Sequence, residues 1–413
     1  MIDSRDIQAG RKVLIFRNEL LPRSETFIVA QAKALREYEP RFAGTNTALD
    51  SLTLSSSPVL VDSSGGLLGK LRRRLFWRTS IAPGFYRRLK KMGPSLVHAH
   101  FAPDGAAALP ISHALRIPLV VTLHGYDVTS SDSSLRRSPE GRLYLRRRKL
   151  LWEDASVFLC VSEFIRDRAR EKGFPKDKLR VHYTGVDVGL FAGTIQQRDP
   201  NLIVFVGRLV EKKGCTYLLD ALALIQQQHP TVRLAVIGSG PLEAGLRCKA
   251  IAEHLPCEFL GAQPPHVVRE HLASARVFCV PSVTASNGDS EGLGTVFAEA
   301  QAMGTPVASS RHAGMHEIVL HGETGLLAPE RDAAMLAANL LTLLREDRMW
   351  LQYSRRGMSW VRDNFDLHKQ TAQLEQIYDA VLSAPERRSA GVRTRHQREA
   401  TLLAERTVEG GLD

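Results

Sequence analysis

Residues 202–214 read LIVFVGRLVEKKG, five apolar residues that pass into a loop containing glycines and basic residues. A short apolar run rich in β-branched and aromatic residues predicts a strand that is buried on both faces, as in a parallel sheet. Residues 215–228, CTYLLDALALIQQQ, follow with the pattern of a helix. This strand, loop and helix together indicate a unit of an α/β fold.

The same rhythm recurs on both sides of this stretch. Four strands are predicted in the first half and three more in the second half, at residues 13–16, 95–98, 118–121, 157–160, 234–237, 277–280 and 306–309. Because 413 residues exceed what a single core usually supports, we expect two doubly wound α/β domains in tandem.

Breaks in the pattern predict the domain limits. Glycines, polar residues and a proline interrupt it at residues 185–200, so the first domain should span residues 1–190 and the second 191–365. Helical patterns at 333–344, 348–365 and 367–382 predict three helices, of which the last forms a separate segment at 366–383. Residues 384–413 hold few large apolar side chains, and we expect a disordered tail or one weak helix.

Composition narrows the class of protein. With 44% hydrophobic and 24% charged residues, it is that of an ordinary globular protein. Neither a long apolar run nor an apolar leader is present, which favours a cytoplasmic protein without a membrane span. The five cysteines form no C-x-x-C pair, so we expect no disulfide and no metal site.

The positive charge is concentrated in the first half. Of a net charge of +11, residues 70–91 contribute nine Lys or Arg and no acid, and residues 136–149 contribute seven against Glu140. Nucleic acid, anionic lipid and a diphosphate would all suit such a surface, and so would solvent.

Residues 281–310 carry the most informative acids. A polar loop ends at Glu291, and a helical run containing Glu299 follows. If the helix starts within Gly292, Leu293, Gly294 and Thr295, its free N–H groups can bind a phosphate or sugar oxygen, which glycine allows to approach closely. The alternative is that both glutamates are ordinary helix acids, but their predicted position at the carboxyl edge of a sheet favours a ligand site.

A basic loop follows the strand at 202–206. It holds Gly207, Arg208 and Lys213, two cations that would stabilise a departing diphosphate without a metal. Gly238 belongs to the next strand-to-helix turn and is expected beside a nucleotide. The alternative for the basic loop is a face turned to water.

Candidate residues of the first domain also follow strands. Ser24 is expected to cap a helix or, with Glu25, to contact substrate. His124 precedes Gly125 and should face the interdomain cleft, with Asp127 orienting its ring. His98 and His100 are equally compatible with a structural and a functional role.

These motifs resemble the retaining GT-B glycosyltransferases of family four. The resemblance rests on two glutamates separated by seven residues, GRLxxxK at 207–213, TGVDxxxF at 184–191, HGxD at 124–127 and GxxGLL at 322–327, and extends to about residue 382. PRSETFI at 22–28 and the loop SVTASNGDSEG at 282–292 are most similar to the exopolysaccharide and colanic-acid enzymes. The chain departs from the family at Leu293, Gly294 and residues 314–317, GMHE, which bears on the sugar contacts.

The resemblance implies fold and roles. Two Rossmann-like domains would face each other across a cleft, with the last helix crossing back to the first. Arg208 and Lys213 would hold the diphosphate of a nucleotide sugar, Glu299 the ribose and Glu291 the transferred hexose, with His124 lining the cleft. The departing phosphate oxygen would take the acceptor's proton, so that neither a nucleophile nor a cofactor is needed.

The expected partners are a UDP-linked donor, a saccharide or lipid-linked acceptor, and an anionic membrane to which the protein would bind peripherally. The membrane surface would be residues 70–91, where apolar side chains interleave with the cations, namely Leu71, Leu75, Phe76, Trp77, Phe85 and Tyr86. Two other classes of protein remain open. One is a GT-B nucleotide-sugar epimerase, which is disfavoured by the presence of Arg208, Lys213, Glu291 and Glu299. The other is a nucleic-acid-binding protein, for which no base-reading motif is present.

Overall fold

The computed structural model describes residues 10–22, 25–48, 52, 54, 56–62, 66–192 and 198–384. Ser24 and the predicted tail from residue 385 onward lie outside this part of the chain.

The first sheet contains strands that are parallel throughout, in the order β5-β3-β1-β6-β7-β8-β9. In chain order the strands of this half are β1 (Arg11–Phe16), β2 (Glu19–Leu20), β3 (Tyr38–Gly44), β4 (Asn46–Thr47), β5 (Val59–Leu60), β6 (Leu96–His100), β7 (Leu119–Leu123), β8 (Val157–Cys160) and β9 (Leu179–Val181). β2 and β4 form a separate pair. The helices are α1 (Thr26–Ala34), α2 (Gly66–Thr79), α3 (Pro83–Met92), α4 (Ala102–Leu115), α5 (Tyr126–Thr129), α6 (Asp132–Leu135), α7 (Pro139–Asp154) and α8 (Glu163–Glu171).

The second sheet is also parallel, in the order β12-β11-β10-β13-β14-β15. Its strands are β10 (Leu202–Val206), β11 (Arg233–Ile237), β12 (Cys257–Gly261), β13 (Val277–Val280), β14 (Val307–Ser310) and β15 (Gly325–Ala328). The helices are α9 (Cys215–Gln228), α10 (Glu243–Ala252), α11 (Pro265–Ser274), α12 (Thr295–Ala302), α13 (Met315–Ile318), α14 (Ala333–Arg345), α15 (Asp347–Asn364) and α16 (Leu367–Ser383). All the predicted strands lie within these two sheets, which confirms the predicted pair of doubly wound domains.

The last helix returns to the first domain, as predicted. The carboxylate of Glu375 on α16 accepts hydrogen bonds from the backbone N–H groups of Arg36 and Glu37 at 2.8 and 2.7 Å. Further along α16, the buried Tyr378 hydroxyl lies 2.6 Å from Nδ1 of His98 on β6, the central strand of the first sheet. The chain therefore crosses between the domains twice, once before β10 and once at α16.

The carboxyl ends of both sheets carry the loops that meet between the domains, where open α/β sheets bind their ligands. None of the described helices is long and apolar enough to cross a lipid bilayer.

Candidate active site

Three loops of the second domain pack together at the carboxyl edge of its sheet. They follow β10, β11 and β13, which are neighbours in the sheet. Leu209 donates its N–H to the carbonyl of Ser239 at 2.9 Å, and Val283 donates its N–H to the carbonyl of Lys212 at 2.8 Å. The backbone itself therefore fixes the basic loop between its two neighbours.

Glycine is required where these loops touch. A Cβ on Gly238, whose φ is +139°, would lie 1.9 Å from the carbonyl oxygen of Gly207. A Cβ on Gly207 itself would make only ordinary contacts with the Lys213 side chain at 3.6 Å. Gly238, which the sequence predicted to lie beside a ligand, is therefore also needed for the fold, because only a residue without a side chain lets these two loops pack together.

The basic loop and the acidic loop meet through Lys213 and Glu291. Lys213, at the end of the short 3₁₀ turn Glu211–Lys213, donates a hydrogen bond from Nζ to Oε2 of Glu291. The neighbouring Lys212 forms a second ion pair with Asp289 at 3.1 Å. Burial alone would raise the pKa of Glu291, but the cations of Lys213 and Lys212 lower it to about 2. Glu291 is therefore an anion at neutral pH.

Arg208 lies in the same loop but is exposed, whereas the Lys213 side chain is only 12% exposed. One cation is thus buried against an acid, and the other is exposed to solvent. The structure brings both into one loop, as the sequence suggested, although in different environments.

Glu299 lies on α12, which begins at Thr295 after Gly294 with a φ of +76°. Burial raises the pKa of the Glu299 carboxyl to about 7. A carboxylate in such surroundings gains most from hydroxyl groups that donate hydrogen bonds to it.

Two residues just before α12 are constrained by the protein itself. Leu293 is only 3% exposed and its side chain packs in the core, so the contact predicted for its backbone N–H group stays a prediction. A Cβ on Gly292 would lie 2.0 Å from the carbonyl oxygen of His124. Gly292 is therefore needed for the approach of the first domain, whereas the sequence had suggested the approach of a ligand.

Sequence reasoning missed His312 and Glu330, which hold the Glu291 backbone. The N–H of Glu291 donates to Nε2 of His312 at 3.3 Å, and Nδ1 of His312 lies 2.6 Å from Oε1 of Glu330. Since Nε2 accepts, Nδ1 carries the proton and donates it to Glu330. His312 could have been identified as a candidate from its position just after β14, because the carboxyl end of that strand lies beside the end of β13.

In the first domain, Glu25 is held by a buried arginine. Arg17 donates from Nε and Nη2 to the two carboxylate oxygens of Glu25, at 2.9 and 2.5 Å, and from Nη1 to Asp104. Burial raises the pKa of Asp104 to about 6 even though the Arg17 cation lowers it. Both carboxylate oxygens of Glu25 are thus engaged by Arg17, and contact of Glu25 with substrate stays a prediction.

His124 is held by another histidine. Its Nε2 lies 3.0 Å from Nδ1 of His100, and the Phe101 ring lies 4.5 Å away between centroids. Burial and the cation of Arg17 hold the pKa of His124 well below its usual range, so the ring is neutral.

Asp127 does not orient the His124 ring, contrary to the prediction. Its carboxylate accepts the backbone N–H groups of Ala102, His124 and Gly125, at 3.0, 3.2 and 2.9 Å. These hydrogen bonds fix the conformation of the loop after β7. Asp127 is only 2% exposed, so its carboxylate is not placed to bind a substrate. The His98 ring is also engaged internally, by Tyr378 and by Thr122.

A seam of hydrogen bonds joins the two domains beside Glu291. Ser162 donates from Oγ to the carbonyl of Gly292 at 2.7 Å, and Ser290 donates its N–H to Oγ1 of Thr129 at 3.2 Å. Glu317 of the second domain accepts the N–H groups of Glu163 and Phe164 at the start of α8. The His124 loop and the Glu291 loop thus contact each other across the boundary between the domains.

In the ranges that the structure describes, no group of three or more His, Cys, Asp or Glu side chains is placed to hold a metal ion.

Comparison with solved structures shows the fold. The fold is similar to that of Anabaena HepE, crystallised in complex with UDP and glucose, with a TM-score of 0.71 at 19% identity over 90% of this chain and 100% of that one. Two parallel-sheet α/β domains with a returning C-terminal helix make this a GT-B fold.

Sequence comparison then gives the family. The model of glycosyltransferase family 4 matches residues 9–190, and that of the group 1 glycosyl transferases matches residues 191–360. The chain belongs to this family of glycosyltransferases. It is 33% identical to the putative colanic acid biosynthesis glycosyltransferase WcaL of Salmonella typhimurium, over 68% of this chain and 70% of that protein. It is also 30% identical to the amylovoran biosynthesis glycosyltransferase AmsK of Erwinia amylovora, over 69% of each.

Proposed function

We propose that this glycosyltransferase moves a hexose from UDP to a saccharide acceptor, with retention of configuration and without a metal ion, in exopolysaccharide biosynthesis. The biosynthetic setting is supported by the names of WcaL and AmsK, and the UDP group by the ligand of HepE. The observation that carries the proposal is the meeting of Lys213 and Glu291 at the carboxyl edge of the second sheet, with Arg208 in the same loop.

In this proposal the two cations act on the leaving group. The bond between the hexose C1 and the β-phosphate oxygen breaks, and the UDP that departs gains negative charge. Lys213 and Arg208 stabilise that charge in a preorganised position. The acceptor hydroxyl forms its bond to C1 on the same face and passes its proton to the departing phosphate oxygen, which balances the reaction without a protein nucleophile.

The acids and the histidine position the donor. Glu299, whose pKa burial raises to about 7, is suited to accept hydrogen bonds from the ribose hydroxyls. Glu291 is anionic and rigidly held by Lys213 and His312, and it would fix the hexose hydroxyls. The neutral His124 would line the opposite wall of the cleft, and the first domain would bind the acceptor, a saccharide or its lipid-linked form.

A ligand screen followed by product analysis tests the proposal. Thermal unfolding is measured with UDP-glucose, UDP-galactose, GDP-mannose and ADP-glucose, and the proposal expects the UDP sugars to raise Tm most. The stabilising donor is then incubated with membrane lipids from the source organism, and the anomeric configuration of the product is read by NMR. A response to GDP-mannose alone would overturn the UDP assignment, and an inverted product would overturn retention.

A further inference from the structure

Helix α2 presents leucines to the solvent. Leu67, Leu68, Leu71 and Leu75 are 84%, 69%, 63% and 48% exposed, whereas large apolar side chains are normally turned toward a core. Leu67, Leu71 and Leu75 follow one another at intervals of four residues and so form a single stripe. An unpaired stripe of leucines on one helix marks an interaction surface.

The opposite face of α2 attaches the helix to the first domain. Phe76 is 2% exposed and lies edge-on to Phe85 of α3, at 5.8 Å between ring centroids. Arg73 pairs with the buried Asp62 at 3.5 Å, and Gly69 lies directly above that carboxylate. Gly69, Arg73 and Phe76 share one side of the helix, which leaves the leucine stripe pointing outward.

The positions of the aromatic residues correct the membrane surface expected from the sequence. Phe76 and Phe85 belong to the hydrophobic core, and Trp77 and Tyr86 are half-buried against it. The aromatic rings thus anchor α2 and α3 to the domain, and leucines form the exposed apolar surface.

Positive charge surrounds the leucines. Exposed cations lie along α2 and α3, namely Lys70, Arg72, Arg74, Arg78, Arg87, Arg88, Lys90 and Lys91. No Asp or Glu occurs in the sequence between Asp62 and Asp104, and Asp62 itself is buried beside Arg72 and Arg73. A partner for this face must therefore be apolar at its centre and negatively charged around it.

We infer that α2 docks in the interface of an anionic lipid bilayer, with the leucine stripe inserted among the acyl chains and the cations on the phosphate head groups. Apolar insertion and attraction to anionic lipid reinforce each other in a helix of this design. A protein partner would have to supply both an apolar groove and a ring of acids, whereas an anionic bilayer supplies both everywhere. Docking would place the proposed acceptor-binding domain at the membrane, where a lipid-linked saccharide resides.

Vesicle co-sedimentation of the full chain tests this inference. Binding is measured on phosphatidylcholine vesicles and on phosphatidylcholine mixed with phosphatidylglycerol, at low and at high salt. We expect binding to the anionic vesicles only, decreasing as salt rises. Equal binding to both vesicle types at low salt would overturn the inference.

Two matched variants locate the contact. Leu71→Ser/Leu75→Ser should weaken binding to anionic vesicles by about tenfold, because two exposed apolar side chains are removed and no charge is changed. Leu224→Ser/Ile251→Ser removes two side chains of the second domain that are 39% and 73% exposed, and it should bind as the unsubstituted protein does. Arg74→Gln/Arg78→Gln should lower binding at low salt.

Three other outcomes would contradict membrane docking by α2. These are unchanged vesicle binding by the leucine variant, equal losses in both apolar variants, and a dimer that Leu71→Ser/Leu75→Ser dissociates into monomers, since the face would then join two copies of the chain. Thermal unfolding without ligand verifies that each variant is folded. The vesicle measurement requires no glycosyl transfer, so its failure is distinct from failure of the proposed reaction.

Discussion

The Lys213 ammonium donates a hydrogen bond to the Glu291 carboxylate, although the two residues lie 78 positions apart in the sequence. The pair joins the loop after β10 to the loop after β13, and its side chains are only 12% and 13% exposed. Each residue therefore depends on the other for neutralisation of its charge, and both belong to loops at the carboxyl edge of the second sheet, where the proposed reaction would take place.

Replacing Lys213 should lower both the rate of the reaction and the stability of the protein. We expect Lys213→Ala to lower kcat on the order of 100-fold, because the departing diphosphate loses a fixed cation. It should also lower the free energy of unfolding by about 3 kcal/mol at pH 7, since Glu291 is left as a buried charge without its partner.

The ion pair of Lys213 and Glu291 predicts that the stability of the protein depends on pH. Lys213 and Lys212 lower the pKa of Glu291 from its ordinary 4.5 to about 2, so this stabilisation is present above pH 4.5 and is lost as the pH falls toward 2.

The double variant Lys213→Ala/Glu291→Gln should regain stability at pH 7 but not activity. Lys249→Ala, which removes a lysine that pairs with Asp220 and Glu253 on the surface, is the control and should leave kcat unchanged. Equal kcat values for Lys213→Ala and Lys249→Ala would contradict the assigned role.

The ionised carboxylate of Glu299 should lower the stability of the protein and strengthen donor binding. Its pKa is raised from 4.5 to about 7 by burial, so the carboxyl costs stability as the pH rises through that interval. Glu299→Gln should therefore raise the free energy of unfolding at pH 8 by up to about 3 kcal/mol and leave it nearly unchanged at pH 4. Denaturant unfolding at the two pH values measures this difference. The same variant should bind the donor more weakly, and tighter donor binding would contradict a ribose contact.

The fold and the positions of the charged loops could be predicted from the sequence because parallel strands are continuous apolar runs, such as β10 and β13. The carboxyl ends of such strands share one edge, so the sequence alone predicts that the loops of Lys213 and Glu291 are neighbours. β3 escaped prediction because Tyr38–Gly44 mixes charged and apolar residues and is buried mainly at its end.

Side-chain directions could not be predicted in the same way. Asp127 turns toward three backbone N–H groups, and Glu25 turns toward Arg17, because unpaired donors were buried near each acid. Such choices depend on neighbours that are distant in the sequence. The role of Gly292 also depended on an approach of the other domain that no local pattern encodes.

Gly292 should tolerate no side chain. A methyl group there would lie 2.0 Å from the His124 carbonyl oxygen and would push the two domains apart. We expect Gly292→Ala to lower kcat by about 100-fold, because small displacements of a reacting centre are costly. Gly245→Ala is the matched control, since a Cβ on this α10 residue meets nothing within 4 Å, and it should stabilise the protein by about 0.5–1 kcal/mol. Wild-type kcat in Gly292→Ala would show that the close approach is not needed.

Glu317 should control how firmly the domains are joined. Its carboxylate caps α8 across the seam at 2.8 and 3.0 Å, so Glu317→Ala should cost about 1 kcal/mol and speed amide hydrogen exchange at Glu163 and Phe164. Glu323→Ala removes an exposed acid that pairs with Arg356 and should leave that exchange unchanged. Unaltered exchange in Glu317→Ala would mean that the seam does not depend on this residue.

Calorimetric titration of UDP and of uridine tests the proposed donor site most directly. Both ligands are titrated into the unsubstituted protein and into Arg208→Ala/Lys213→Ala. If the two cations hold the diphosphate, the double variant should bind UDP at least about 100-fold more weakly and uridine with unchanged affinity. Equal UDP affinity in the two proteins would contradict the account.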